Sequence, residues 1–209
     1  MDVLIFTVSE GGLKVALIKR GIEPFRGRWA LPGGFVLENE SLEDAALREV
    51  REEAGVMDVF LEQFQTFGDP DRDPRQRVIT VAYFALVPSE DIHLSASTDA
   101  ADVRWFSISN TPSLAFDHDR ILAAGVARLR SRLEDSAIAA ALLPARFRLA
   151  DLQKVYEAIL GRSLDKRNFR KRILSLGMVE PTESIDSGGA HRPARLFRFR
   201  LETERAFED

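Results

Sequence analysis

Residues 34–56 read GFVLENESLEDAALREVREEAGV, and this stretch is the most specific pattern in the chain. A glutamate follows the first glycine after five residues, and an Arg-Glu-Val triplet follows that glutamate after seven. A Glu-Glu pair and a Gly-Val pair complete the pattern, with one residue before each. Each position would match at roughly 5–10% by chance, so coincidence over the whole pattern is negligible.

The pattern contains the start and the end of a helix. Ser41 is a good N-cap, and Asp44 three positions later favours a reciprocal capping box. Gly55 is placed to end the helix in the left-handed conformation. These signals predict a helix over about residues 42–54.

Three acidic residues share one face of this predicted helix. At about 100° per residue, Glu49, Glu52 and Glu53 fall within an arc of roughly 100°. Three adjacent carboxylates repel one another unless a cation binds among them, and hard oxygen ligands suit Mg²⁺ or Mn²⁺. The alternative is an ordinary solvated acidic face. The preceding Pro32-Gly33-Gly34 turn and the terminal glycine favour the metal site.

The whole pattern resembles the box of the Nudix family, which hydrolyses pyrophosphate bonds. The resemblance implies an α/β fold, an α/β/α sandwich with a mixed sheet. It also implies Mg²⁺ or Mn²⁺ as cofactor, and a supporting carboxylate at Glu40. An intact box does not by itself establish turnover, so enzymatic activity stays open at this point. The site residues carried over are the catalytic and metal-binding Glu49, Glu52 and Glu53, the metal ligand Gly33 through its carbonyl, and the catalytic Arg48, which would hold the glutamates by salt bridges.

Composition excludes several classes of protein. The chain has 209 residues, of which 45% are hydrophobic and 30% charged, as in ordinary globular proteins. It has no cysteine, which excludes disulfides, cysteine-bound zinc and thiol catalysis. The first residues lack a signal-peptide pattern, and no apolar run reaches transmembrane length. We therefore expect a cytoplasmic protein that does not associate with membranes.

Hydrophobic patterns divide the chain into two domains, at 1–138 and 139–209. Five stretches before residue 109 are rich in Val, Ile, Phe and Tyr and are predicted as strands, at residues 3–8, 13–20, 59–67, 78–87 and 103–108. Helical spacing predicts a second helix over about 117–133. Residues 134–148 are predicted as a connector, because Pro144 opposes one continuous helix.

The second domain has the element order of a winged helix-turn-helix. Helical spacing predicts a helix over 149–160 and a basic helix over 165–176, each followed by a glycine. Strands are predicted at 178–181 and 195–200, with a Gly-Gly loop between them. In this fold the second helix enters the major groove of DNA.

The charge distribution agrees with a DNA-binding role for this domain. Residues 142–201 contain 13 Lys+Arg and 6 Asp+Glu, a balance of +7, whereas the rest of the chain has 16 and 27, a balance of −11. Such a basic surface suits double-stranded DNA. The alternative is a dimerisation arm with a solvated basic face. The predicted DNA-binding residues are Lys166, Arg167, Arg170 and Lys171 on the helix, and Arg192 and Arg195, with His191, at the wing.

The combination of both domains resembles the Nudix-related transcriptional regulators of NAD metabolism and related ADP-ribose pyrophosphatases. The segments that carry the resemblance are 29–36 (WALPGGFV), 68–75 (GDPDRDPR), 114–119 (LAFDHD) and 164–170 (LDKRNFR). It implies that ADP-ribose binds the Nudix domain and releases the protein from its operator. Many such regulators have a degraded box, and the box of this chain is intact. We expect a homodimer, since winged-helix regulators usually read two half-sites.

Other candidate residues lie outside the box. Five arginines could hold the diphosphate or the terminal ribose, because guanidinium groups suit phosphate oxygens, or could lie on plain surface. Phe67, Tyr83 and Phe84 fit a core role better than an adenine platform, and His118 fits capping or packing better than catalysis. Asp99 and Asp102 precede a strand, where a further metal-site carboxylate would lie. The five arginines are Arg26, Arg28, Arg72, Arg75 and Arg77, with Arg72 the strongest candidate.

Three functional hypotheses follow from the sequence. The leading one is a repressor of NAD metabolism genes that responds to ADP-ribose and can also hydrolyse it. The second is a metal-dependent ADP-ribose pyrophosphatase that uses the C-terminal domain for assembly. The third is a sugar-utilisation regulator of the same architecture that senses a sugar phosphate. The box alone specifies pyrophosphate chemistry and not the group attached to it.

Overall fold

The computed structural model describes residues 1–55, 59–88, 100–133, 137–186 and 194–200. The helices are α1 (Leu42–Ala54), α2 (His118–Arg132), α3 (Leu149–Leu160) and α4 (Lys166–Leu176), with short 3-10 helices at Ile108–Asn110 and Ala137–Leu142. The strands are β1 (Asp2–Ser9), β2 (Gly12–Arg20), β3 (Trp29–Ala30), β4 (Phe60–Phe67), β5 (Thr80–Leu86), β6 (Ala100–Ser107), β7 (Val179–Asp186) and β8 (Ala194–Phe199).

Within the described residues, six strands form a mixed sheet in the order β3-β2-β1-β5-β4, with β6 also paired to β2. β1 runs parallel to β5, and the other pairs are antiparallel. β1 pairs only with the first part of β2, as far as Phe6 opposite Val15. Beyond that point the segment after β3 lies beside β1, where Val3 N donates to Pro32 O at 2.9 Å. This brings the glycine turn next to the first residues of β1.

Helices cover both faces of the sheet. On one face Val3 and Ile5 of β1 pack with Ala46 and Val50 of α1. Successive strand residues point to opposite faces, so Leu4 and Phe6 lie in the other core. That core also contains Ile121 and Leu129 of α2 and Leu152, Val155 and Ile159 of α3. The predicted α/β/α sandwich is confirmed, and the first helix of the second domain shares its core.

The C-terminal domain is a winged helix, as predicted. Gly161 and Gly177 end α3 and α4 in the left-handed conformation, with φ of 68° and 69°. Tyr156 and Phe169 join the two helices edge to face at 5.2 Å. β7 and β8 form an antiparallel ribbon, and Phe147 pairs with Phe197 of this ribbon through two backbone hydrogen bonds of 2.8 and 2.9 Å.

Some predicted boundaries were wrong. β7 continues to Asp186 instead of ending at Pro181, because pairing with β8 supplies partners that local sequence does not show. The predicted connector contains a short 3-10 helix at Ala137–Leu142, whose apolar Ile138 and Ala139 are buried, and this helix ends before Pro144. Val56, Asp99, His191 and Arg192 lie outside the described residues. None of the helices in the described part has the length and apolarity needed to cross a membrane.

Candidate functional site

The ends of α1 are fixed by the predicted caps. Ser41 Oγ accepts from Asp44 N at 3.1 Å, and Asp44 Oδ2 accepts from Ser41 N at 3.3 Å. Gly55 closes the helix with φ of 69°. The capping box and the left-handed C-cap are therefore confirmed, and they fix both ends of the helix that carries the glutamates.

Arg48 gathers the acidic residues of the box. Its Nη1 lies 2.8 Å from Glu49 Oε1 and 3.6 Å from Glu52 Oε2. Its Nη2 and Nε donate to the two oxygens of Glu40 at 2.9 and 3.1 Å. Glu40 Oε1 also accepts from Leu37 N at 2.8 Å, which ties the loop before α1 to this cluster. The salt bridges expected of Arg48 are present.

The three box glutamates differ in exposure. Glu49 and Glu53 are buried, whereas the side chain of Glu52 is 47% exposed. Burial raises the pKa of Glu49, and the neighbouring Arg48 opposes this rise. Within the described residues no three His, Cys, Asp or Glu side chains converge closely enough to hold a metal ion. The donor chemistry of three carboxylates nevertheless fits a hard divalent cation.

The glycine turn touches both β1 and α1. A Cβ on Gly33 would lie 2.3 Å from Met1 O, and a Cβ on Gly34 would lie 2.5 Å from Glu49 Oε1. Real Cβ atoms do not approach other atoms this closely. Glycine at both positions therefore lets the turn reach the buried carboxylate.

These residues line a pocket of about 660 Å³. Glu49, Glu52 and Glu53 line it from α1, and several arginines line it from the loop between β4 and β5. Of the five candidate arginines, Arg72, Arg75 and Arg77 are in this lining. Arg26 and Arg28 are not, and Arg28 Nη2 instead donates to Ser113 Oγ and Leu114 O, both at 2.9 Å.

Arg72 is held inside the pocket wall by two carboxylates. Its side chain is 5% exposed. Nε and Nη2 donate to the two oxygens of Asp117 at 3.1 and 2.8 Å, and Nη2 also donates to Asp2 Oδ2 at 3.1 Å. Its partners raise the pKa of Arg72 although burial opposes this, so the guanidinium stays charged. Arg72 thus links β1 to the start of α2.

Arg75 and Arg77 keep more exposed positions. The side chain of Arg75 is 42% exposed and bonds Asp73, with Nη2 donating to Oδ2 at 2.7 Å. This ion pair lowers the pKa of Asp73. Arg77 Nη1 donates to the main-chain oxygen of Asp69 at 3.1 Å. Arg77 can turn toward an anion in the pocket by giving up exposed main-chain contacts, whereas Arg75 would have to leave the buried carboxylate of Asp73.

Sequence reasoning missed Phe116 and Arg20 as pocket residues. Phe116 has a left-handed backbone with φ of 54°, which is uncommon for a bulky residue. The Arg20 guanidinium lies 4.8 Å from the centre of its ring, and that of Arg75 lies 5.8 Å from it. Phe116 belongs to the family-like segment 114–119, which was the available signal.

His118 has a packing role, as predicted. Its Nδ1 accepts from Leu31 N at 2.9 Å, and its Nε2 lies 3.4 Å from Asp2 Oδ1. Burial lowers the pKa of His118, and Asp2 and Asp117 offset only part of this effect. Asp102 pairs with Arg104 on β6 at 2.6 Å and is not part of the pocket lining. The three aromatics predicted as core, Phe67, Tyr83 and Phe84, are buried.

Five of the predicted DNA-binding residues lie in the described part of the winged helix, and all five are exposed. Phe169 and Ile173 turn α4 toward the core. The basic residues of α4, Lys166, Arg167, Arg170 and Lys171, are exposed, as is Arg195 on β8. A groove of about 370 Å³ between α3, α4 and β8 is lined by Arg148, Lys166, Arg170 and Arg195 among others. The described part of the winged helix is therefore suited to a polyanion.

Known protein families match both halves of the chain. The NUDIX domain model matches residues 1–125, and the model of the NrtR DNA-binding winged helix domain matches residues 139–199. The domain boundary itself stays a prediction. Hydrolases of the Nudix family generally use a divalent metal ion.

Similar proteins cover nearly the whole chain. The ADPR responsive transcriptional repressor NtrR of Acinetobacter baylyi is 37% identical over 206 residues, which is 97% of this chain and 82% of the relative. The structure of Shewanella oneidensis NrtR complexed with a 27mer DNA matches with a TM-score of 0.84 at 32% identity, covering 97% of this chain and 93% of that one.

A third match concerns the first domain. The NUDIX domain of Shewanella oneidensis NrtR complexed with ADP ribose is 36% identical, with a TM-score of 0.56, and the match covers 61% of this chain and 85% of that one. The sheet, its flanking helices and the winged helix agree with these matches. The chain therefore belongs to the Nudix family and to the group whose members carry an NrtR DNA-binding winged helix domain.

Proposed function

We propose that this protein is a DNA-binding repressor of NAD metabolism genes that responds to ADP-ribose. One observation carries the proposal, namely that a single fold joins a pyrophosphate-type pocket to a winged helix with an exposed basic helix. The similar repressor of Acinetobacter baylyi is described as ADPR responsive, and the similar Shewanella proteins were crystallised with DNA and with ADP ribose.

The pocket chemistry suits a nucleoside diphosphate sugar. Glu49, Glu52 and Glu53, with the carbonyl of Gly33, would hold Mg²⁺ or Mn²⁺ on one wall. Such a cation binds phosphate oxygens and lowers the pKa of coordinated water. Arg75 and Arg77 line the pocket as exposed cations for the remaining phosphate charge. Arg72 lies in the buried wall of the pocket, where Asp2 and Asp117 already hold its guanidinium.

The basic face of α4 would enter the major groove. Lys166, Arg167, Arg170 and Lys171 would contact phosphates and guanine edges, and Arg192 and Arg195 would contact the backbone from the wing. We propose that the protein acts as a homodimer, because winged-helix repressors read paired half-sites. A repressor works where the chromosome lies, so the proposed location is the cytoplasm.

The intact box favours hydrolysis of ADP-ribose as a second activity. Nudix chemistry requires carboxylates that bind the cation and accept a proton from the attacking water, and the pocket presents three. Arg48 holds Glu49 and Glu52 in place and neutralises part of their charge. In the alternative function, hydrolysis is the main activity and the winged helix serves assembly.

DNA binding can be tested with the promoter region of the protein's own gene. We expect the affinity to fall steeply with salt, with a slope of roughly −0.9 per phosphate contact in a log–log plot. Replacing Arg167 and Arg170 by Ala should weaken DNA binding and leave the ADP-ribose affinity unchanged. The loss of about two phosphate contacts should make the salt dependence correspondingly shallower. Arg128→Ala is the matched control, because Arg128 lies on α2 and pairs with Glu62 of β4. Absence of binding at modest salt would overturn the repressor proposal.

Hydrolysis can be tested by AMP release from ADP-ribose with Mg²⁺. Replacing Glu53 by Gln keeps the shape of the buried side chain but removes its charge, so we expect turnover to drop about 10²–10⁴-fold. Glu43→Gln, on the exposed first turn of the same helix, should turn over like the unchanged protein. Normal turnover in Glu53→Gln would refute the site assignment. Tight binding without AMP release would identify the domain as a sensor.

A further inference from the structure

One helix touches both the pocket and the DNA-binding domain. α2 has 15 residues and is therefore about 22 Å long. His118 in its first turn lines the pocket. Arg130 in its last turn donates from Nε to Ile159 O of α3 at 2.8 Å. α2 is thus a continuous rigid element between the two sites.

The pocket end of α2 is tied to the buried arginine. Asp117, directly before α2, accepts two hydrogen bonds from Arg72, and Asp2 accepts a third. The Arg72 side chain also lines the pocket. An anionic ligand entering the pocket offers oxygens to the same guanidinium, and guanidinium–phosphate pairs are strong and bidentate. The ligand therefore competes with Asp117 for Arg72.

The middle of α2 lies directly on the sheet. A Cβ on Gly125 would lie 2.0 Å from Leu4 Cδ1, so no side chain separates the helix from β1 at this point. Ile121 and Leu129, one turn to either side, are fully buried. A closely packed interior has low compressibility and transmits strain. A displacement at the first turn therefore reaches the last turn.

The other end of α2 meets α3 where it turns into α4. Arg130 bonds the last turn of α3, and its Nη2 lies 3.5 Å from the position of a Cβ on Gly161. The turn after Gly161 is fixed to α3, because Leu164 O accepts from Gln153 Nε2 at 2.9 Å and Leu164 N donates to Glu157 at 2.8 Å. The position of this end of α3 therefore sets the position of α4.

We propose that α2 transmits pocket occupancy to α4, with Arg72 as the group that senses the ligand and the Arg130–Ile159 contact as the output. The inference rests on the proposed function and adds the route by which an anionic ligand changes DNA affinity. A ligand that draws Arg72 from Asp117 releases the first turn of α2. The shift of α2 then moves the α3–α4 turn away from its DNA-binding position.

The test uses the full chain, a labelled duplex of its own promoter region and ADP-ribose with a methylene group in place of the bridging diphosphate oxygen, which blocks hydrolysis. Saturating ligand should weaken DNA binding of the unchanged protein by roughly 5–150-fold, the usual range of allosteric coupling. In Arg130→Gln the ligand should weaken DNA binding by less than about threefold. The variant should keep its affinity for the ligand and its affinity for DNA in the absence of ligand. Arg128→Gln is the matched control, because Arg128 lies on the same helix but pairs with Glu62 of β4.

Each outcome decides the proposal. The proposal is supported if the ligand weakens DNA binding of Arg128→Gln normally but no longer weakens DNA binding of Arg130→Gln. Asp117→Asn, which changes the pocket end of α2, should also lose this effect of the ligand. A normal response in Arg130→Gln overturns it. Loss of ligand-free DNA binding in Arg130→Gln also overturns it, since Arg130 would then build the DNA-binding domain instead of transmitting a signal. An unchanged protein that binds DNA but ignores the ligand overturns the proposed function itself.

Discussion

The buried side chain of His118 holds the pocket wall at the start of α2. His118 Nδ1 accepts from Leu31 N, so in the neutral ring the proton lies on Nε2, toward Asp2 Oδ1. Burial lowers the pKa of His118 below its ordinary value, and the nearby carboxylates restore only part of the difference. The folded protein therefore keeps this ring neutral at pH values where a histidine of the unfolded chain, with a pKa of about 6.5, takes up a proton.

This difference predicts a loss of stability in mild acid. Between the unfolded pKa and the lower folded pKa the unfolded state binds one more proton, so the free energy of unfolding falls as pH falls below about 6.5, by at most about 1.4 kcal/mol per pH unit. His118→Gln should remove this contribution. Urea unfolding of both proteins at pH 8, 7, 6 and 5 measures it. Parallel pH profiles would show that His118 does not titrate in this way.

Side-chain contacts between residues close in the sequence were predictable, and contacts between residues far apart in the sequence were not. Arg48 lies eight residues from Glu40 and next to Glu49, so the family pattern contains the whole cluster. The partners of Arg72 lie 45 and 70 residues away in the sequence. The loop motif therefore indicated an arginine for the ligand, and only the fold shows that two carboxylates already hold it.

Elements with local start and stop signals were also predictable. Ser41, Asp165 and the glycines at 55, 161 and 177 define helix ends by their own side chains and backbone conformations. β3 has two residues and carries no periodicity, so sequence could not reveal it. The close contact of α2 with β1 at Gly125 is equally invisible in the sequence, because it depends on Leu4 in a distant strand.

Gly125→Ala should therefore destabilise the protein, against the usual trend in helices. Alanine improves helix propensity by about 1 kcal/mol, but the new methyl group would lie 2.0 Å from Leu4 Cδ1 in a buried core. Overpacking costs about 1–3 kcal/mol, so we expect a net loss. Chemical denaturation measures the loss in the free energy of unfolding. Combining Gly125→Ala with Leu4→Val should make this loss smaller, because the shorter side chain leaves space for the new methyl group. A more stable Gly125→Ala would contradict the packing described for α2.

At the scale of the whole molecule, the two domains share one core. The charge asymmetry and the motifs predicted two units in the sequence, and the family models match them separately. In the structure, Val155 and Ile159 of α3 lie in the same cluster as Leu4 and Phe6 of β1. Sequence periodicity shows that α3 has an apolar face but not which surface that face contacts. The DNA-binding domain is therefore built onto the sheet that holds the pocket.

A shared core predicts that the two domains unfold together. Both tryptophans, Trp29 and Trp105, lie on sheet strands of the first domain, so their fluorescence reports that domain alone. Ile159→Ala removes a fully buried side chain from α3 and should cost about 2–5 kcal/mol. We expect the midpoints from tryptophan fluorescence and from helical circular dichroism to fall by the same amount. Leu174→Ala, at an exposed position of α4, should change neither. If the fluorescence midpoint of Ile159→Ala stays fixed, the two domains unfold independently. In that case α2 lacks the rigid contact through which occupancy of the pocket could reach α4.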